Sequence, residues 1–301
     1  MSAIHFRHLM IFVAAGLAAA LLPAAEDAGY VGEVNAARVK REQRLTAPDG
    51  WLTLIGLHFL AAGENSVGSA KNNAVVLAAG PAYLGVVRLA DDGNVKLLVN
   101  PGVEVSVNGQ PVLAAELGDG RQEHTVTAVA GTISFYIIDR GGRKALRVKD
   151  SEAERRTHFL GIDYFPIDPA WRIEAEWVPF DRPREVPIRN IIGQVSPALV
   201  LGKAVFTRDG HTMELLPIQE NPDDELFFVI SDLTSGDQTY AAARFLYADP
   251  PRDGKVVLDF NRAVNPPCAF TPFATCPLPP TENQLPIAVT AGEQDYRGGH
   301  E

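Results

Sequence analysis

Hydrophobic and polar positions alternate in short runs along most of this chain, and glycine or proline turns separate the runs. Alternation with a period of two is the signature of strands with one face turned to a core. Over the first half, residues 51–60, 74–77, 86–89, 95–99, 103–107, 111–113, 126–129, 132–138 and 145–148 read as strands. Asp92-Gly93, Asn108-Gly109, Ala130-Gly131 and Gly141-Gly142 stand between them. Asp-Gly and Asn-Gly tolerate the positive φ of a type I′ hairpin turn. Strands this short and evenly spaced predict a two-sheet β-sandwich over residues 49–150.

A charged stretch at 151–157 is the best candidate for a boundary, or else one exposed turn inside a single larger fold, and a second β unit follows over 158–297. Trp171, Ile173, Ala175 and Trp177 fall on one face of a strand, with Arg172, Glu174 and Glu176 on the other. Residues 186–192, 199–206, 212–216, 225–231, 239–247, 255–260 and 285–291 complete about eight strands, the size of an antiparallel sandwich or small barrel. Helical spacing is confined to residues 30–48, a short helix that Pro48-Asp49-Gly50 ends. The fold class expected is therefore all-β.

Composition narrows the function. The chain has 301 residues and a formal net charge of −10, with no basic run, so nothing in it offers a phosphate backbone its counter-charge. Nucleic acid is set aside as a partner. The N-terminus runs from basic (His5, Arg7, His8) through apolar to small residues, the order of a secretory signal peptide over residues 1–25. Its apolar run is shorter than the roughly 20 residues a membrane span needs. The expectation is an exported protein, periplasmic or secreted, with no transmembrane helix in the mature chain. The rival reading is an uncleaved anchor.

The stretch 256–283 carries the densest chemistry. It holds both cysteines, Cys268 and Cys276, among six of the prolines. Two cysteines at close range in an exported chain point to a disulfide, with a metal site or a catalytic thiolate as the alternatives. Asn265-Pro266-Pro267 and Pro277-Leu278-Pro279-Pro280 make a rigid cap carrying Phe270 and Phe273. That cap is either the wall of a ligand site or a plug for the open end of a barrel. Arg244 and Asp259 interrupt apolar strands and need partners, Arg244 with Asp259 or Asp232. A structural ion pair and a catalytic set remain open. In the catalytic set Asp232 or Asp259 would be acid or base, Tyr240 a proton donor and Arg244 an anion clamp. Thr234, Thr239, Asn261, Asn265, Phe270, Phe273 and Asn283 are the candidate binding residues. No cofactor fingerprint or metal-ligand spacing is present in the sequence.

Two resemblances add to this. Gly63-Glu64-Asn65-Ser66-Val67-Gly68-Ser69 and Val107-Asn108-Gly109 resemble the glycine strand and late turn of forkhead-associated domains, β-sandwiches that read phosphothreonine. That family places an arginine where this chain has Ser69, and a serine and histidine where it has Pro81-Ala82-Tyr83-Leu84-Gly85. The resemblance implies the fold but not phosphothreonine peptides as partners, because the guanidinium that grips the phosphate is missing. The blocks Asp49-Gly50-Trp51-Leu52-Thr53-Leu54-Ile55-Gly56-Leu57, Ala145-Leu146-Arg147-Val148-Lys149-Asp150, Leu258-Asp259-Phe260-Asn261 and the cap from Asn265 to Pro277 resemble a prokaryotic domain-of-unknown-function family, number sixteen eighty-four. It implies no activity. The reading expected is an exported ligand-binding or envelope-associated β protein, its site under the cap at 265–283 and its partner a small molecule or envelope component. The alternative is an envelope hydrolase.

Overall fold

The structure, a computed structural model, describes residues 22–122, 124–219 and 221–298. The signal-peptide expectation lies outside the described residues up to residue 21. One helix, α1 (Leu22–Thr46), opens the described chain. It is longer than the short helix expected at 30–48, because Pro23 fits a first helical turn and Ala24, Ala25 and Glu26 favour helix.

The first β unit holds β1 (Leu54–Phe59), β2 (Gly63–Gly68), β3 (Val75–Val76), β4 (Gly85–Leu89), β5 (Val95–Val99), β6 (Ser106–Val107), β7 (Gln110–Pro111), β8 (Ala114–Gly118), β9 (Ala128–Ala130), β10 (Ile133–Arg140) and β11 (Arg143–Asp150). They form a six-stranded sheet, β1-β11-β10-β9-β6-β7, and a five-stranded sheet, β3-β2-β4-β5-β8. Val67, Val87, Leu97, Phe135, Leu146 and Val148 fill the core of this unit. Asn108 and Gly109 take φ of 51° and 74°, as a type I′ turn requires. At 91–93 only Gly93 is left-handed, so that hairpin closes on a longer turn than expected, with Asp92 Oδ1 accepting from Asn94 N–H.

The segment 151–157 carries a single helical turn, α2 (Glu154–Thr157). The second unit holds β12 (Arg172–Arg189), β13 (Val195–Arg208), β14 (His211–Leu215), β15 (Leu226–Ile230), β16 (Arg244–Ala248) and β17 (Lys255–Asp259). Its sheets run β14-β13-β12-β17 and β15-β16, curling into a half-barrel. Trp171 and Ala175 are buried while Arg172, Glu174 and Glu176 are exposed, the two-faced strand expected. Three expectations are corrected. The strand expected at 186–192 is the end of β12 and the turn at the tip of the long β12–β13 hairpin, while the one expected at 199–206 lies within β13. Of 239–247 only the end, in β16, is strand. Residues 285–291 alternate buried and exposed but join no ladder. Their backbone groups are taken by side chains and loops instead, as at Val289 N to Asp232 Oδ1 (3.1 Å).

A third core cluster ties the parts together. Leu45 of α1, Leu52, Val229, Phe245, Cys268, Phe270 and Cys276 pack as one group. It sits between the outer face of β15–β16, the cap and the edge of the first unit.

Candidate functional site

Arg244 faces the inside of the half-barrel, where a lone cation must find acceptors. Its Nη2 donates to Asp232 Oδ2 at 2.7 Å and to Val289 O at 2.9 Å, and its Nη1 to Ala291 O. Asp232 Oδ1 accepts from Thr234 N (2.9 Å), Thr234 Oγ1 (2.6 Å) and Val289 N (3.1 Å). Thr239 Oγ1 lies 2.9 Å from Thr234 Oγ1 and closes the network. Both charged side chains are essentially out of solvent, at 1% and 0% exposure. The carboxylate of Asp232 is fully engaged, while Arg244 Nε is buried without a hydrogen-bond partner among the described residues.

Asp259 goes elsewhere. Its Oδ1 accepts from Tyr30 Oη of α1 at 2.7 Å, and its Oδ2 pairs with Arg262 Nε at 3.1 Å. Burial, then the Asp259 hydrogen bond, pushes the Tyr30 phenol well above its ordinary range. Asn261 Nδ2 donates to Tyr30 Oη and Asp168 O, and its Oδ1 accepts from Asp168 N. Further along α1, Arg41 Nε pairs with the buried Glu293 at 3.0 Å and its Nη2 donates to Asn265 O at 2.7 Å. Asn265 N donates to Glu293 Oε2 and its Nδ2 to Gln294 O. Asn283 is a structural bracket: it accepts from Leu216 N and donates to Leu216 O and Val229 O.

The cap packs on the outside of β15–β16, against Val229 and Phe245. Phe270 is buried against Tyr296, with ring centroids 5.0 Å apart, and Phe273 is half-buried beside Arg155. Cys268 and Cys276 are brought face to face, each backbone N–H donating to the other's Sγ at 3.2 and 3.3 Å. They are free thiols, so the disulfide expected from their spacing is not made in this structure. Tyr240 lies by the cysteines, its phenol pushed up to about 12 by burial and then by Cys268, Cys276 and Asp295. The four catalytic candidates thus occupy three places and do not converge.

The open site is one that residue-by-residue reading missed. A groove of about 1240 Å³ runs between α1, the first unit and the β16–β17 side of the half-barrel. Arg41 and Arg44 of α1 form one wall, Asp49, Trp51 and Lys149 another, and Arg172, Glu174, Tyr247 and Val257 lie along the half-barrel side. Asp259, Asn265 and Pro267 bring it to the margin of the cap. Seven cations line it (Arg41, Arg44, Lys149, Arg172, Arg252, Lys255, Arg262) against six acids (Glu33, Asp49, Glu174, Glu225, Asp249, Asp259). Tyr247 and Trp51 offer it rings that are 43% and 36% exposed.

The register of the strands adds polar groups. Phe227 exchanges backbone bonds with Ile218 and Phe245 with Val264, so Tyr247 turns its N–H and C=O away from β15. Trp177 N donates to Gly254 O, and the same alternation turns the N–H and C=O of Val257 away from β12. Neither Tyr247 nor Val257 makes a backbone bond on that edge among the described residues. Among those residues, too, no three His, Cys, Asp or Glu side chains are placed to hold a metal, and no helix is long and apolar enough to cross a membrane.

The loops around Ser66 and Ser69, where the sequence resembles the forkhead-associated family, are closed on themselves. Ser69 Oγ donates to Gly80 O at 2.9 Å and Ser66 Oγ accepts from Ala74 N at 2.8 Å.

Comparison with known proteins places these features in context. No curated protein matches the chain. An uncharacterized protein from gene locus rrnAC0354 of Haloarcula marismortui, solved by solution NMR, is 32% identical, with a TM-score of 0.41. The similarity covers 48% of this chain and 81% of that one. The FHA domain of FhaA, solved in complex with the intracellular domain of Rv3910, is 18% identical, with a TM-score of 0.21. That match covers 31% of this chain and 97% of the other. A family model described as "Protein of unknown function (DUF1684)" matches residues 157–294. The similar blocks noted at 49–57 and 145–150 lie outside that match, whereas Asp259, the cap and both cysteines lie inside it. Through residues 157–294, the half-barrel with its cap, the chain belongs to the DUF1684 family.

Proposed function

We propose that the protein is an exported ligand-binding protein that holds its ligand in the groove between α1, the first β unit and the β16–β17 side of the half-barrel. The observation that carries this is the groove itself. Its walls come from three parts of the chain, and its lining mixes exposed rings, both signs of charge and free backbone groups. A concave site with a few convergent polar groups is the usual form of a small-molecule site. The near balance of charge favours a polar or zwitterionic ligand over a polyanion, in keeping with the chain's net charge of −10 and against nucleic acid. Ser69, where the forkhead-associated family has arginine, argues against phosphothreonine peptides. The site expected under the cap moves to the margin of the cap, at Asn265 and Pro267. Nothing in the geometry favours a hydrolase. Asp232 and Arg244 neutralise one another out of reach of solvent, and Tyr240 and Asp259 stand apart from them.

Export is part of the same reading. It rests on the N-terminal pattern and would put the facing thiols where they can close into a disulfide.

A thermal-shift screen of the mature chain against defined glycans, short peptides and zwitterionic metabolites tests the proposal. A hit should raise the melting temperature of the wild type and of Arg244→Met, but not of Tyr247→Ala or Arg252→Glu. A hit that survives both groove changes would place the ligand elsewhere.

A further inference from the structure

The ladder between β16 and β17 is interrupted, and the cause is local. Arg252 and Lys255 exchange both backbone bonds, at 2.9 Å each, across Asp253-Gly254. Those two residues take φ of 50° and 73°, the two-residue type I′ turn of a tight hairpin. The next residues that should exchange bonds, two back from Arg252 and two on from Lys255, are Pro250 and Val257. Proline has no N–H to give, and Pro251 follows it, so the ladder stops there. Pairing resumes only at Phe245 and Val264, with bonds of 2.8 and 2.9 Å. An unbroken ladder would have set Phe245 against Arg262, and the turn Phe260–Arg262 takes up the two extra residues. What is left is a slot closed at both ends. The main-chain N–H and C=O of Tyr247 on one rim and of Val257 on the other stay unpaired among the described residues. The free rim from Leu246 to Pro251 is about 20 Å long at about 3.3 Å per extended residue. The slot opens into the groove, which Tyr247, Asp249 and Pro250 line from one rim and Val257 and Asp259 from the other. At its turn end stand Glu225, brought beside Asp249 by the Leu226–Ala248 pair, and Arg252 with Lys255. None of these four charges makes an ion pair among the described residues.

We propose that the ligand of the groove is a short extended peptide, held at this slot by its main chain. The inference rests on the groove reading and narrows it to one class of ligand. A strand residue with both its N–H and its C=O unpaired is matched by the C=O and N–H of one residue of another chain. Peptides that add to a sheet edge are bound in this way, with the main chain supplying affinity and side chains the selection. The exposed rings of Tyr247 and Trp51 give such side chains apolar surface in the same groove. The unpaired acids and bases at the turn end offer a counter-charge to whichever terminus of the peptide lies there. Pro250 and Pro251 have a part in this, because they keep the chain from closing its own ladder over the site.

The test uses the full chain and a synthetic set of unblocked tripeptides to hexapeptides of Ala, Leu, Lys and Glu, with binding read by calorimetry. The strongest binder is then remade with its amides N-methylated one at a time. The amide that pairs in the slot should lose about tenfold in affinity on methylation, and the amides turned away from it much less. Val257→Pro removes a slot-facing N–H and no bond to β12, so it should weaken binding about tenfold more than Val257→Ala. Pro250→Ala with Pro251→Ala returns the missing N–H opposite Val257. It should slow amide exchange at Val257 without peptide and weaken peptide binding. The N-methyl series leaves the protein unaltered and decides the matter even if these variants do not fold. A peptide whose affinity ignores every N-methyl group would be held by side chains and would overturn the proposal. Glycans or non-peptide zwitterions that protect residues 247–257 where no peptide does would overturn it too, and would leave the groove reading standing. If no ligand of any class binds there, both readings fall together.

Discussion

Arg244 and Asp232 form an ion pair 2.7 Å long that is closed to solvent on both sides. It links the start of β16 to the loop after β15 and draws in the segment 289–291 through Val289 and Ala291. Removing one partner strands the other. Arg244→Met leaves a buried carboxylate and should destabilise the fold by about 3–5 kcal/mol, whereas joint replacement with Asp232→Leu should recover part of that loss. Urea unfolding of the single and double variants measures the coupling.

Asn283 does a similar task without charge. Asn283→Ala would orphan Leu216 N–H and two carbonyls inside the half-barrel. The expected cost is about 3 kcal/mol, and Asn283→Asp should be as harmful because it loses both donated bonds. Thermal melts of the two variants check this.

Glu293 makes stability depend on pH. Burial pushes its carboxyl above the ordinary value, and Arg41 and the Asn265 N–H only partly oppose that. The folded state therefore holds the proton more tightly than the unfolded one. This contribution is fully present below the unfolded value of about 4.3 and is lost as pH rises through the raised folded value. Glu293→Gln keeps an acceptor for Asn265 N–H and should remove that fall, which urea midpoints measured across acidic to neutral pH would show.

Tyr30 docks the helix. Tyr30→Phe breaks its bond to Asp259 and should cost about 1–2 kcal/mol, with faster hydrogen exchange along α1 and little change in the first β unit.

The sequence made the local chemistry of the strands plain and the long-range arrangement much less so. Trp171, Ile173, Ala175 and Trp177 announce a two-faced strand, and Asn108-Gly109 and Asp209-Gly210 announce tight turns, because period and positive φ are properties of neighbours. That β12 continues to Arg189 was hidden by Pro179, Pro183 and Pro187, which normally argue against strand. Here the register shifts between Pro179 and Arg184, and this half of β12 ladders with β13 and meets the cap at its end, where Arg189 O accepts from Leu278 N. Residues 285–291 alternate like a strand, but Arg244 and Asp232 take the backbone groups a neighbour would need. Arg244 needed an acid, and the sequence offered Asp232 and Asp259 equally; α1 decides the matter by giving Asp259 to Tyr30. The groove could not be read at all, since Arg41, Trp51, Tyr247 and Val257 meet only after three distant parts of the chain have packed.

Hydrogen–deuterium exchange of the chain, with and without the strongest hit from the ligand screen, tests the groove most directly. The account predicts slower exchange in residues 41–51, from the end of α1 into the first unit, and in residues 247–257 of the half-barrel side, and loss of both effects in Tyr247→Ala. Protection confined to the first-unit loops at 69–83, or to the buried pair at Asp232 and Arg244, would contradict it.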